Sequence, residues 1–164
     1  MAATGMRRGM RKRRPWASAL ALLGALALAG SAAAQGAQSG ERTRVTSLAG
    51  EATVGGKRVA LRDDVPEDEA LETGPDTQCS VLVRSQAVAQ FCGRASVRIR
   101  RAGTRTAGGL GLDAGRVRLN VAPQSSGRPF EIETPVAVAA ILGTVVTTEV
   151  DRATGETTIS VEEG

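Results

Sequence analysis

The chain contains no histidine and no tyrosine. Without an imidazole, the Ser–His and Cys–His nucleophile pairs of hydrolases are excluded, and so are the usual zinc sites, because two cysteines alone cannot complete one. Glu131 and Glu133 are a pair of carboxylates, but they alternate with Phe130 and Ile132. This alternation is typical of the solvated face of a strand. We therefore expect no catalytic residues, no metal and no cofactor.

Aromatic side chains are almost missing, since Trp16, Phe91 and Phe130 are the only three. Surfaces that bind glycans or single-stranded nucleic acids usually rest on aromatic platforms, so both classes of ligand are disfavoured. A core without large rings must be filled by Val, Ala, Leu and Ile. Such side chains favour a thin core.

Acidic residues are absent from residues 1–34, which hold six of the 21 basic residues. An apolar, Ala- and Leu-rich run follows this basic head and ends in the small residues 30–34. The pattern predicts a secretory signal peptide over 1–34, cleaved after Ala34, and export to the periplasm or the extracellular space. The alternative is a single membrane anchor, because residues 16–35 carry no charge and are just long enough to span.

Removing the leader leaves 15 basic against 17 acidic residues, a net charge of −2. The high isoelectric point therefore belongs mostly to the leader, and we expect no nucleic-acid partner. Residues 35–42 are rich in Gly, Ser, Gln and Ala, which predicts a flexible tether. The remaining residues, 43–164, suit one domain.

Short apolar runs with period-two alternation fill residues 43–164, and Gly- and Pro-containing turns separate them. No stretch beyond the leader has a helical period. The sequence predicts an all-β single domain of many short strands, a thin β-sandwich or β-roll.

Arginine occupies alternate positions on two of the predicted strands, at Arg98, Arg100, Arg116 and Arg118. If these strands are neighbours, the four guanidinium groups line one surface. One interpretation is a site for a phosphate-bearing envelope polymer or another anionic partner. The other is a solvated face that pairs with the acidic loop 63–72.

Two cysteines lie on adjacent extended runs, at Cys79 and Cys92. With Ser85–Gln86 as a two-residue turn, Cys79 stands directly opposite Cys92. An oxidising compartment then favours a disulfide between them. Ser-Gln is not a favoured two-residue turn, so another register stays open.

The chain ends on a β-branched run that includes Thr157, Ile159 and Val161. Natural edge strands are usually blunted by Lys, Pro or a bulge, and the sequence shows none here. We predict an open edge at which a partner, or a second copy, adds a strand.

A series of turn and strand motifs appears in a fixed order through the chain: Leu48–Val54, Thr73–Asp76, Ala114–Val117, Arg128–Phe130, Thr134–Pro135, Gly143–Thr144 and Gly155–Gly164. In order and spacing this series resembles the FecR domain, a β-rich module of bacterial envelope proteins. The name-giving members carry an anti-sigma segment and a membrane helix before this domain, and they relay an iron-uptake signal to a sigma factor. Here about 16 residues precede the apolar run, too few to fold, so we do not expect the sigma-regulating role to transfer.

The resemblance and the residues together predict an exported, non-enzymatic binding or scaffold module of the bacterial envelope. The alternative is a short cell-surface signalling relay that acts with an unseen membrane or sigma/anti-sigma partner. The expected partner is an envelope protein or an anionic envelope polymer, and self-association is also possible.

Overall fold

The computed structural model describes residues 42–124 and 127–163, which form twelve strands and no helix. The strands are β1 (Arg44–Ala49), β2 (Ala52–Val54), β3 (Lys57–Arg58), β4 (Ala70–Thr73), β5 (Gln78–Val83), β6 (Ala87–Cys92), β7 (Ser96–Arg100), β8 (Gly108–Val121), β9 (Phe130–Glu133), β10 (Val138–Ile141), β11 (Thr144–Val150) and β12 (Thr157–Glu163). The all-β prediction is confirmed. The predicted signal peptide and all of the tether except Arg42 lie outside the described residues. Within the described part of the chain, no helix is suited to crossing a membrane.

Strand β8 is fourteen residues long and belongs to two sheets at once. Its carboxyl-terminal part, 115–121, lies in sheet A, whose strand order is β1–β5–β6–β8–β11–β12. Its amino-terminal part, 108–114, lies in sheet B, with the order β3–β2–β4–β7–β8–β9–β10. All pairings between these strands are antiparallel except that of β8 with β9.

The passage of β8 from one sheet to the other occurs at Gly115. Its φ of +97° is a backbone conformation that residues with a Cβ rarely adopt. A Cβ at this position would overlap the carbonyl oxygen of Arg94. The facing strand is irregular here too, because the register of β7 shifts between Ser96 and Val97. A glycine and a bulge together let a strand bend sharply.

Both sheets bury their inner faces in one hydrophobic cluster. On β8, Leu110 and Leu112 point inward from sheet B, and Val117 and Leu119 from sheet A. The two phenylalanines meet in the same cluster, Phe91 from sheet A and Phe130 from sheet B. The remaining members are mostly Val, Ala, Leu and Ile, as the shortage of aromatic residues predicts. Joined through β8, the two sheets form one large twelve-stranded sheet around this core, which agrees with the predicted thin sandwich or roll.

The predicted register of the β5–β6 hairpin is wrong by one residue. Val83 pairs with Ala87, so the loop has three residues, and two of them, Arg84 and Ser85, have positive φ. Because side chains alternate between faces, a one-residue slip turns a side chain to the other face of the sheet. Cys79 consequently opposes Phe91 and is buried, whereas Cys92 opposes Gln78 and is exposed. Both thiols are free, and the predicted disulfide is not formed.

We expect the two thiols to differ sharply in reactivity. Burial raises the pKa of the Cys79 thiol to about 11, which removes the reactive thiolate near neutral pH. Iodoacetamide at pH 8 should therefore modify Cys92 alone in the folded protein, and both cysteines after unfolding in urea. Peptide mapping would locate the adducts. A Cys79–Cys92 disulfide in the native protein would contradict the register.

We expect Gly115→Ala to lower the free energy of unfolding by about 2–4 kcal/mol, because the added Cβ meets the Arg94 carbonyl oxygen and the backbone is strained. Gly111→Ala is the matched control on the same strand. A Cβ there has Arg98 atoms at 3.9 and 4.0 Å as its nearest neighbours, an ordinary contact. That variant should be neutral or stabilised by up to about 1 kcal/mol. Equal urea midpoints for the two variants would contradict the bend at Gly115.

Candidate interaction edge at strand β12

Strand β12 is the last strand of sheet A and pairs only with β11. Ile159 stands opposite Thr148, Thr157 opposite Val150, and Val161 opposite Val146. The side of β12 that faces away from β11 carries no further strand among the described residues. This run therefore lies at the edge of sheet A in the described residues, and the strand addition predicted there stays a prediction.

The hydrogen-bond pattern decides which backbone groups of β12 are free. The Asp151 N–H donates to the Glu156 carbonyl oxygen over 2.9 Å, which makes this a hydrogen-bonded pair of the hairpin. In an antiparallel ladder such pairs alternate with pairs that are not bonded to each other. The N–H groups of Thr158 and Ser160 therefore point to β11. By the same alternation, the N–H groups of Thr157, Ile159 and Val161 point away from β11.

Ile159 and Val161 form an exposed continuation of the core, whereas Thr157 is half-buried and its hydroxyl donates to the Thr134 hydroxyl over 3.3 Å. Their partners on β11, including Val146 and Val150, are buried on the inner face of sheet A. One strand further out the row reaches solvent, where Ile159 is 37% and Val161 66% exposed. Open backbone groups and uncovered apolar side chains thus occur on one strand, the combination that a further strand would cover.

The sequence analysis found no bulge in this run, but β12 does contain one. Val145 pairs with Glu163 and Val146 with Val161, which leaves Glu162 without a partner in the ladder. Its carboxylate accepts hydrogen bonds from Arg118 on β8, over 2.9 Å from Nε, and from the hydroxyl of Thr147. The bulge ends the regular edge, so the free segment is residues 157–161.

Charge and hydrogen bonding hold both ends of this segment in place. The hydrogen bonds from Arg118 and then Thr147 hold the pKa of Glu162 below its ordinary value. At the other end, Asp151 accepts the backbone N–H groups of Thr154 and Ala153, which lowers the pKa of that carboxyl. The edge segment is therefore presented as a formed, extended strand.

The other edge strands are less open to a further strand than β12. The first part of strand β1 is covered by the loop that follows β3, because Val45 donates to the Asp63 carbonyl oxygen and accepts from the Arg62 N–H. Strand β3 has two residues and β10 has four. Of the edge strands described, β12 is the longest whose outer side is open.

The four predicted arginines do not form one surface. Arg98 and Arg100 lie on sheet B, whereas Arg116 and Arg118 follow the bend of β8 and lie on sheet A. The prediction of a single four-residue face is wrong, because Gly115 directs the two parts of β8 into different sheets.

Three of these arginines already have carboxylate partners on other strands of the same sheet. Arg98 contacts Asp113 at 2.6 Å, Arg100 contacts Glu133, and Arg118 contacts Glu162. The acidic loop 63–72 pairs with other arginines, namely Arg42, Arg44, Arg84 and Arg101. The expectation that it pairs with the four predicted arginines is therefore wrong as well. Exposed ion pairs of this kind contribute little to stability. They do offset the positive charge of the arginines, on which binding of an anionic polymer would depend.

A shallow groove of about 470 Å³ lies on sheet B, above Gly111. Two guanidinium groups and three carboxylates line it, together with small neutral residues: Asp68, Arg98, Arg100, Gly111, Asp113, Glu133, Thr134 and Pro135. Charges of both signs alternate across it, so the groove does not select an anion.

Comparison with known protein families decides the assignment. The family model described as FecR protein matches residues 69–164, more than half of the chain. The chain belongs to the FecR family. FecR proteins are generally cell-surface signalling regulators and are not known as enzymes. The matched region contains β12 and all of β8, and strands β1–β3 extend the same fold before it. Searches of curated proteins and of solved structures returned no match.

Proposed function

We propose that this FecR protein is an exported, non-enzymatic binding module of the bacterial envelope that takes an extended segment of a partner protein as an additional strand on β12. The observation that carries the proposal is the open edge of β12, where the N–H groups of Thr157, Ile159 and Val161 point away from the sheet. Strand addition uses main-chain hydrogen bonds for affinity and alternate side chains for specificity.

The side chains of the edge specify which residues of a partner would fit. Ile159 and Val161 lie on the inner face, where a partner strand would place apolar side chains beside them. Thr158 and Ser160 lie on the outer face and are small and polar. The best partner segment therefore alternates apolar with small polar residues over about five positions.

Export is the part of the proposal supported by the leader. Six basic residues, an apolar run and a small-residue ending over residues 1–34 favour secretion through the inner membrane. A periplasmic or extracellular address puts the β12 edge in contact with envelope proteins.

Family membership favours a second version of the same function. FecR proteins act in cell-surface signalling, so the partner at β12 would then be a membrane or sigma/anti-sigma component, and the module would be a relay. The two versions share the edge and differ only in the partner.

We expect Ile159→Pro to abolish partner capture, because proline removes an outward-pointing N–H that the partner needs. An outward position on an edge strand tolerates proline, so the fold should persist. Ile159→Thr is the matched control, since it keeps the N–H and the β-branched shape. Immobilised full-length protein would be incubated with envelope extract, and captured proteins quantified by mass spectrometry.

The specific partner should be captured at least tenfold less by the proline variant, and within about threefold of wild type by the threonine variant. A tenfold loss corresponds to about 1.4 kcal/mol, close to one hydrogen bond. Protection of the Cys79 thiol would report that each variant is folded. If the folded proline variant captures the same proteins as wild type, the contact lies elsewhere and the proposal fails.

A further inference from the structure

The free backbone groups of β12 are arranged symmetrically along the strand. The outward N–H groups belong to Thr157, Ile159 and Val161, so Ile159 is the centre of the set. In an antiparallel pair the residue numbers of opposed positions have a constant sum. Two copies related by a twofold axis at Ile159 therefore place Ile159 against Ile159 and Thr157 against Val161. Every outward N–H then meets an outward carbonyl.

The side chains agree with this pairing. Residues 157–161 carry no charge, so no like charges meet within the paired segment. On the inner face the two exposed Ile159 side chains would cover each other, and Val161 would pack against the Thr157 methyl group. On the outer face Thr158 would stand opposite Ser160, a favourable cross-strand pair.

The charges at the ends do not oppose the pairing. Glu156 of one copy would approach Glu162 of the other, but Glu162 is bulged out of the ladder and bound to Arg118. Its charge is offset before the copies meet. The interface therefore rests on backbone hydrogen bonds and apolar contact, and its strength should depend little on salt.

A second copy also has an advantage over a flexible peptide. A disordered segment must lose conformational freedom when it becomes a strand, and each backbone residue that becomes ordered adds to this cost. In this chain the segment is already extended, because β11, the Asp151 turn and the Glu162–Arg118 contact hold it. Preorganisation of both strands lowers the free energy lost on association.

We propose that a second copy of this chain binds at β12 by antiparallel twofold pairing centred on Ile159, which joins the two A sheets into one. The inference rests on the same open edge as the proposed function and names its partner.

Site-specific crosslinking tests the register directly. In a Cys92→Ser background, which removes the exposed thiol, Ile159→Cys places two thiols on opposed residues whose Cα atoms are about 5.5 Å apart, within the range of a disulfide. Under mild oxidation this variant should form a covalent dimer. Thr157→Cys alone should not, because its partner in the other copy is Val161. A mixture of Thr157→Cys and Val161→Cys should give the mixed dimer.

Sedimentation of the wild-type protein, between 50 and 500 mM NaCl, should show a concentration-dependent dimer that changes less than about threefold in dissociation constant. Crosslinking of Thr157→Cys with itself at the rate of Ile159→Cys would show random collision and overturn the inference. A monomer at all concentrations would overturn it too. If envelope capture still depended on Ile159 in that case, strand addition by another protein would stand without self-pairing.

Discussion

The geometry of this domain depends on one strand being shared by two sheets. Strand β8 pairs with β6 and β11 in its carboxyl-terminal part and with β7 and β9 in its amino-terminal part. Gly115 permits this, since its φ of +97° disfavours a side chain and a Cβ there would overlap the Arg94 carbonyl oxygen. Both inner faces can then close on one core of small aliphatic residues. A domain with two phenylalanines in its core needs such a thin space, because it has little else with which to fill a wider one.

A shared central strand also determines where the sheets end. Sheet A begins at β1, whose first residues the loop after β3 covers, and ends at β12, beside which the described residues place no further strand. The interior row of Val146 and Val150 continues onto Ile159 and Val161 and there reaches solvent. Association at β12 therefore extends a core and a ladder that already exist. The chain belongs to the FecR family, whose members are generally cell-surface signalling regulators.

Features that depend on alternation within one strand were predictable from the sequence, and features that depend on pairing between strands were not. The strand at 157–161 and the all-β class follow from β-branched alternation. The β5–β6 register does not, because Arg84 and Ser85 adopt positive φ without glycine and lengthen the loop by one residue. The bulge at Glu162 has no local sequence motif that would predict it, because its partner Arg118 lies 44 residues earlier. The prediction of a single arginine surface was wrong because a glycine inside a strand does not by itself indicate a bend. In this structure Gly115 is where β8 bends from one sheet to the other.

Amide hydrogen exchange along β12, followed residue by residue by NMR, tests the open edge most directly. At low protein concentration, the Thr158 and Ser160 amides should be protected by β11, while those of Thr157, Ile159 and Val161 exchange rapidly. On concentration, the second set should become protected with little change in the first. Equal protection of all five amides in dilute protein, or no response of Ile159 to concentration, would contradict the account.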